Sequence, residues 1–449
     1  MNLKRTVILA LVVLSCSPRE STPPATTSTD TAATSAATGT AATALTVDER
    51  ARRADRIRAW FSERAPEKTA LVATTRTESG QIIDWIRPES QLPEGMKLER
   101  APDEGRFVAP ADAAKITQFT KPPEEAERLG RTEVQLQKAA QGPPGTVPVV
   151  RFDVEAYLRN ERDLPEDPND VLQKVPPPAP ASNNRYYGVW QRFGTFFGTL
   201  GRINIWDTSG PTSGETSIAQ TAVIRGNPMQ AIEAGKIELN TLNGNSGSYF
   251  FTFYRTNGGA TGDWVGGYNK LVKGWIQVSA TVAPGMSLAP WSSTIGGSQF
   301  SLDLEVRLWN GNWWVRAAGE WAGYYPRCKG GGASDPCASG TLFSAAGIRD
   351  QADRLDWYGE VFDSTAPSPT STDMGSGRFA SEGWGKAAYF RNIMYMWSPT
   401  QAWWWDSGSV TATDSNCYSV SGPFFSQSDQ NYRNWYLYGG PGKESQTCK

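Results

Sequence analysis

From about residue 183 to the C-terminus the chain breaks into short apolar and aromatic runs, among them 248–254, 274–278, 301–308 and 313–315, with Gly-Asn and Gly-Gly pairs between them. Runs of this length bounded by such turns predict strands. A stretch of them as long as 183–449 predicts a mainly β fold, a large antiparallel β-sandwich. Upstream the pattern changes. Residues 47–67 place Ile57, Trp60 and Phe61 on one helical face and Arg and Glu on the other. Residues 70–85 read as a hairpin: Leu71-Val72-Ala73, a turn at Glu78-Ser79-Gly80, then Ile82-Ile83-Asp84-Trp85. The polar, Glu/Gln-rich stretch 123–140 predicts a further helix. Residues 47–175 thus make a small α+β unit ahead of the sandwich.

Two segments lack any such pattern. Residues 17–46 are mostly Thr, Ala, Ser and Pro, which cannot bury a core and predict a flexible tether. Residues 176–182 are dominated by proline, which predicts a semi-rigid exposed linker, a domain boundary and an accessible cleavage site.

Composition then narrows the chemistry. The chain has 449 residues and a net charge of −2, so nothing points to a nucleic-acid partner. It contains no histidine, which excludes a Ser-His-Asp triad and any metal site built on imidazole. No cofactor is implied, and a monomer is expected. Lys4 and Arg5 precede a short apolar run, residues 6–14, too short to span a bilayer as a helix, so 1–16 reads as an export signal. Val13-Leu14-Ser15-Cys16 resembles a bacterial lipobox, implying lipidation of Cys16 and an exported protein, extracellular or an outer-membrane lipoprotein. Of the five cysteines, four then remain for an oxidising compartment. Three pairings are open; Cys328–Cys337 and Cys417–Cys448 are favoured because each closes a local loop, worth roughly 2.5–4 kcal/mol apiece in the chain-entropy model.

Several motifs dissolve on inspection. Asp207-Thr208-Ser209-Gly210 lacks the glycine directly after Asp-Thr and the second copy that a pepsin-like dyad needs. Gly375-Ser376-Gly377 is a loop without a base, and Gly439–Lys443 has the wrong spacing for a phosphate loop. Trp313-Trp314 and Trp403-Trp404-Trp405 could stack on sugar rings, so a non-catalytic sandwich binding glycan or protein at the cell surface stays open as an alternative. Two glutamates carry more. In a strand alternate residues share a face. Around Glu233 that face holds Ala231, Gly235, Ile237 and Leu239 and reads as inward-looking. Around Glu360 it holds Tyr358 and Phe362, with Leu355, Trp357 and Val361 opposite. Carboxyls so placed are desolvated and rise in pKa; two sharing one site divide a proton and supply both acid and base. Spacing alone favours the plainer reading, in which each pairs with a cation such as Lys236 or Arg354.

At these residues the chain resembles the neprosin family of glutamic peptidases. The pieces run in family order: 216–220 (through Gln220), 231–235 (around Glu233), 266–269, 274–277, 312–315, 323–326, 342–343, 357–361 (around Glu360), 372–377 and 438–442. Residues 80–85 are similar to a segment of the family's activation peptide. The resemblance implies a β-sandwich peptidase made as a zymogen, active in acid and cutting after proline, with Glu233 and Glu360 as its catalytic pair. It implies proline-containing peptides as substrates and the chain's own pro-domain as inhibitor, docked over the groove. Gln220 is the expected amide donor to the oxyanion, and Trp357 and Tyr358 are candidates to stack on a substrate proline. Three departures are visible: Gly267 and Val272 stand where plant members hold a disulfide, Lys236 stands where Trp is common, and lipidation is not a plant-family trait.

Overall fold

The computed structural model describes residues 45–64, 70–92, 96–103, 120–130, 132–160, 164, 185–208, 214–258, 266–329, 337, 340–363, 370–426, 429–445 and 447–448. The export signal with Cys16, the tether up to residue 44 and the linker 176–182 lie outside them. The N-terminal region contributes helix α1 (Val47–Arg64), the hairpin strands β1 (Leu71–Arg76) and β2 (Ile82–Ile86), helix α2 (Glu124–Arg128), strands β3 (Thr132–Glu133) and β4 (Val147–Val150), and helix α3 (Val154–Asn160). β1, β2 and β4 form a three-stranded sheet. The helix expected over 123–140 is corrected: it stops after α2 and gives way to β3 and a 3-10 turn at Leu136–Lys138. Its polar run is broken at Gly130, which sits at φ +67°; a left-handed residue ends a helix.

Sixteen further strands build two sheets. In chain order they are β5 (Arg185–Phe196), β6 (Gly198–Asn204), β7 (Glu215–Arg225), β8 (Met229–Leu239), β9 (Tyr249–Gly258), β10 (Gly266–Tyr268), β11 (Ile276–Gln277) and β12 (Phe300–Trp309). There follow β13 (Asn312–Ala317), β14 (Glu320–Tyr325), β15 (Ala352–Asp363), β16 (Ala388–Ser398), β17 (Gln401–Trp404), β18 (Val410–Ala412), β19 (Ser419–Phe425) and β20 (Asn434–Gly439). A seven-stranded sheet runs β10-β9-β8-β7-β15-β5-β18, antiparallel throughout. A ten-stranded sheet runs β11-β14-β13-β12-β6-β16-β20-β19, with β17 added to β16 and β3 to β12. Both cysteine pairs form as expected, Cys328–Cys337 and Cys417–Cys448.

Period-two alternation sorts each strand between two environments. Leu355, Trp357 and Val361 of β15, Ile232 and Ala234 of β8, and Leu302, Leu304 and Val306 of β12 meet in one core between the sheets. Trp313 is buried there too, while Trp314 is wholly buried against Ile276 and Tyr324 on the other side of its strand. Neither is free to stack on a sugar.

Part of the N-terminal region packs on the outer face of the ten-stranded sheet, while α1 and α3 pack against Leu271 and Val272 beyond β10. Leu92, Leu98 and Ala101 cover Ile276, Trp314 and Tyr324, and Ala126 covers Trp384, Tyr389, Tyr432 and Trp435. β3 pairs in parallel with Phe300–Ser301, the part of β12 that β13 leaves unpaired. Glu133 bonds both Arg202 (3.0 Å) and the buried Arg391 (2.9 Å).

Candidate active site

The outer face of the seven-stranded sheet carries a groove. Four strands supply its floor: Arg185, Tyr187, Val189 and Gln191 from β5, Ile218 and Ile224 from β7, Glu233 from β8, and Arg354, Asp356, Tyr358 and Glu360 from β15. Phe253, Arg255 and Tyr268 rise at one side. The cavity holds about 300 Å³. Glu233 and Glu360 both line it, two strands apart, with Glu233 opposite Ala222 and Glu360 opposite Ile218 on the intervening β7. The sequence places Glu233 on an inward-looking face; the structure turns that face to the groove, and it is Ile232 and Ala234 that enter the core.

Two glycines make this arrangement possible. A Cβ on Gly235 would sit 2.1 Å from the Ala219 carbonyl oxygen and 2.9 Å from Gln220 Cβ, so only glycine lets β8 approach β7 at Gln220. A Cβ on Gly359 would sit 2.4 Å from the Tyr438 ring of the opposite sheet. The glycines beside both glutamates are therefore packing requirements of the site strands.

Each carboxyl has its own surroundings. Glu360 is buried, paired with Arg185 and hydrogen-bonded by Gln220 Nε2 at 3.1 Å. Gln220 is itself wholly buried, and its Oε1 bonds no described residue. Glu233 lies 3.4 Å from Arg255 Nη2. Burial pushes the Glu233 carboxyl up to about 7, outweighing the downward pull of Arg255, and the nearby charge of Glu360 adds to the rise. Burial likewise raises the Tyr187, Tyr268 and Tyr358 hydroxyls, which stay protonated. Asp356 is also raised by burial and is held by Arg354 at 2.5 Å.

Each glutamate does have a cation beside it, but neither of the two given as examples is the partner. Lys236 pairs with buried Glu238 on the far side of β8, and Arg354 pairs with Asp356. Arg185 and Arg255, distant in sequence, take their places; no local pattern marks either one, because their positions follow from long-range strand pairing. Both carboxyls thus have a cation nearby and still share one cavity. Tyr358 lines the groove with its ring centroid 6.0 Å from that of Tyr187, and Phe253 stands 4.8 Å from Tyr268. Trp357 does not: it is wholly buried on the other face, donating to Thr199 Oγ1 at 2.8 Å, so a stacking role on substrate is excluded by the strand's own alternation.

No residue before Arg185 lines the groove among those described. Gly267 and Val272 face one another: a Cβ on Gly267 would lie 2.8 Å from Val272 Cγ1. Valine fills the space where a bridge between those positions would run.

Among solved structures the chain is similar to Scytalido-glutamic peptidase with a peptide-based transition state analog, at 9% identity and a TM-score of 0.29, covering 57% of this chain and 98% of that one. It is similar to the same peptidase with a transition state analog inhibitor (8%, TM-score 0.28, again 57% and 98%). A third likeness is to SCP-B, a member of the Eqolisin family of peptidases, in complex with the tripeptide Ala-Ile-His (10%, TM-score 0.27, 57% and 98%). Scores this low add nothing to the geometry. The family model named Neprosin matches residues 213–441, which hold Gln220, Glu233, Tyr358 and Glu360, and with half of its length matched the chain belongs to the Neprosin family.

Proposed function

We propose that the protein is an acid-active glutamic endopeptidase that hydrolyses proline-containing peptides, cutting after proline, with Glu233 and Glu360 as its catalytic pair. The single observation that carries this reading is that two carboxyls, one of them held protonated up to about pH 7, line one aromatic cavity. Glu360, with Arg185 and the Gln220 amide donating to it, serves as the carboxylate base. It takes a proton from water as the water oxygen adds to the scissile carbonyl carbon. Glu233 serves as the acid and protonates the leaving nitrogen as the C–N bond breaks. The proton on Glu360 then returns to Glu233, and no covalent intermediate forms. Tyr187, Tyr358, Phe253 and Tyr268 offer apolar walls to a proline ring.

The chain is proposed to be exported as a zymogen, tethered through Cys16 and activated by a cut within 176–182. The two disulfides fit an oxidising compartment. Since β5 begins in the groove, such a cut acts close to the site. The test is cleavage of a proline-containing peptide between pH 3 and 7, with the new N-terminus of the acid-treated chain sequenced in parallel. Activity that survives Glu233→Gln or Glu360→Gln at full rate would sink the reading. Binding without turnover in the wild type would favour the surface-binding alternative.

A further inference from the structure

We propose that Arg185 is a catalytic residue, whose guanidinium donates to the scissile carbonyl oxygen and holds the negative charge that forms there. The inference rests on the peptidase reading of the groove and assigns a role that the sequence gives to Gln220. Arg185 heads β5 and shares the groove face with Tyr187, Val189 and Gln191. Its side chain is only 13% exposed. Nη1 bonds Glu360, and the guanidinium carbon lies over the Phe362 ring, 4.4 Å from its centroid.

The other two nitrogens, Nε and Nη2, are in hydrogen-bond geometry with no described residue, and the Tyr187 hydroxyl lies beside the guanidinium. These two nitrogens form one edge of the guanidinium, with their N–H bonds parallel. That edge is the geometry that chelates an anionic oxygen. A buried cation with one edge committed to the base and the other uncommitted, in the same cavity, is built to receive charge developing next to that base. Gln220 is less well placed for the same work: its Nε2 already gives one N–H to Glu360, and the side chain is wholly buried and does not line the groove. Gln220 is then a positioning residue for Glu360.

The step balances. Water oxygen adds to the carbonyl carbon and its proton passes to Glu360. The carbonyl π pair moves onto oxygen, against Arg185 Nε and Nη2. On collapse that pair re-forms the C=O bond, the C–N bond breaks and the nitrogen takes the proton of Glu233. One consequence concerns maturation: a processed N-terminus must fall before residue 185, or the donor is lost.

The experiment compares the wild type, Arg185→Lys and Arg185→Gln, each processed in acid with a trace of wild-type enzyme. Arg185→Gln is expected to lower kcat about 100- to 1000-fold with KM within a few-fold, as for loss of an oxyanion donor, with Arg185→Lys intermediate. Because Arg185 also touches Glu360, the deciding measurement is made in the Glu360→Gln background. There Arg185→Gln should weaken a peptide phosphonate, whose P–O⁻ replaces the scissile carbonyl, by about 10- to 100-fold. Affinity for the matching uncleaved peptide should change by less than about threefold. Equal loss for both ligands would mean that Arg185 only supports the fold or the base, and overturns the proposal. A rise in peptidase activity in Arg185→Gln would make the residue a brake and overturn it equally, and failure of both variants to fold would assign it a structural role instead. An inactive wild type would instead remove the peptidase reading itself, which separates the two failures.

Discussion

The two outer faces of the sandwich are made of similar material and end differently. Each carries buried arginine next to carboxylate among aromatic rings: Arg185 with Glu360 and Phe362 on the seven-stranded sheet, Arg391 with Glu133 and Tyr432 on the ten-stranded one. On the ten-stranded sheet the cover is the chain's own N-terminal region, which brings its own carboxylate to Arg391, a strand to β12 and apolar side chains to Trp314 and Trp435. On the seven-stranded sheet the described N-terminal residues leave the face open as a groove, and donors and acceptors remain uncommitted in it. An aromatic and charged sheet face is thus not itself a sign of a site. What separates the two is whether the chain supplies the partners.

The sharpest way to break this comparison is to neutralise the groove. Glu233→Gln and Glu360→Gln should each lower kcat on the order of 10³-fold or more while the melting temperature and circular dichroism stay near wild type. Neighbouring residues of β15 divide the faces next. Trp357→Ala, in the core between the sheets, should destabilise by about 3–5 kcal/mol in denaturant titrations without a specific rise in KM. Tyr358→Ala, on the groove face, should raise KM about tenfold.

On the covered face, Glu133→Ala leaves Arg391 buried without its carboxylate. A cost of about 2 kcal/mol is expected, moderated because Glu133 is 43% exposed, with turnover per folded molecule unchanged. After a linker cut, the N-terminal fragment of the wild type should still co-elute with the sandwich at neutral pH.

The smallest effects are in pH. Glu233 is raised from 4.5 to about 7, so between those values the folded state holds a proton that the unfolded state has released. Its contribution to stability is full below about 4.5 and is lost as pH rises through 7. Glu233→Gln should therefore flatten the fall in stability over that window. Arg255→Gln removes the cation that lowers Glu233 and should move the alkaline limb of kcat to higher pH; a shift toward acid would contradict the assignment of Glu233 as the acid.

Local pattern was enough for a good deal. Alternation in β15 put Tyr358 and Glu360 on one side and Leu355, Trp357 and Val361 on the other, because side-chain direction in a strand repeats every two residues whatever lies beyond it. The hairpin at Glu78-Ser79-Gly80 and both short disulfide loops were legible for the same reason: their contacts are close in sequence. What a face meets is decided elsewhere. Glu233 looked inward among alanine, glycine and isoleucine, yet its side opens to the groove, since the covering layer is chosen by long-range sheet packing. Arg185 and Arg255 reach the glutamates only through pairing of β5 with β15 and of β9 with β8. The N-terminal region is held behind the sandwich by a two-residue strand, one bridging glutamate and apolar side chains laid on Trp314 and Trp435, contacts whose free energy exists only once both partners are folded.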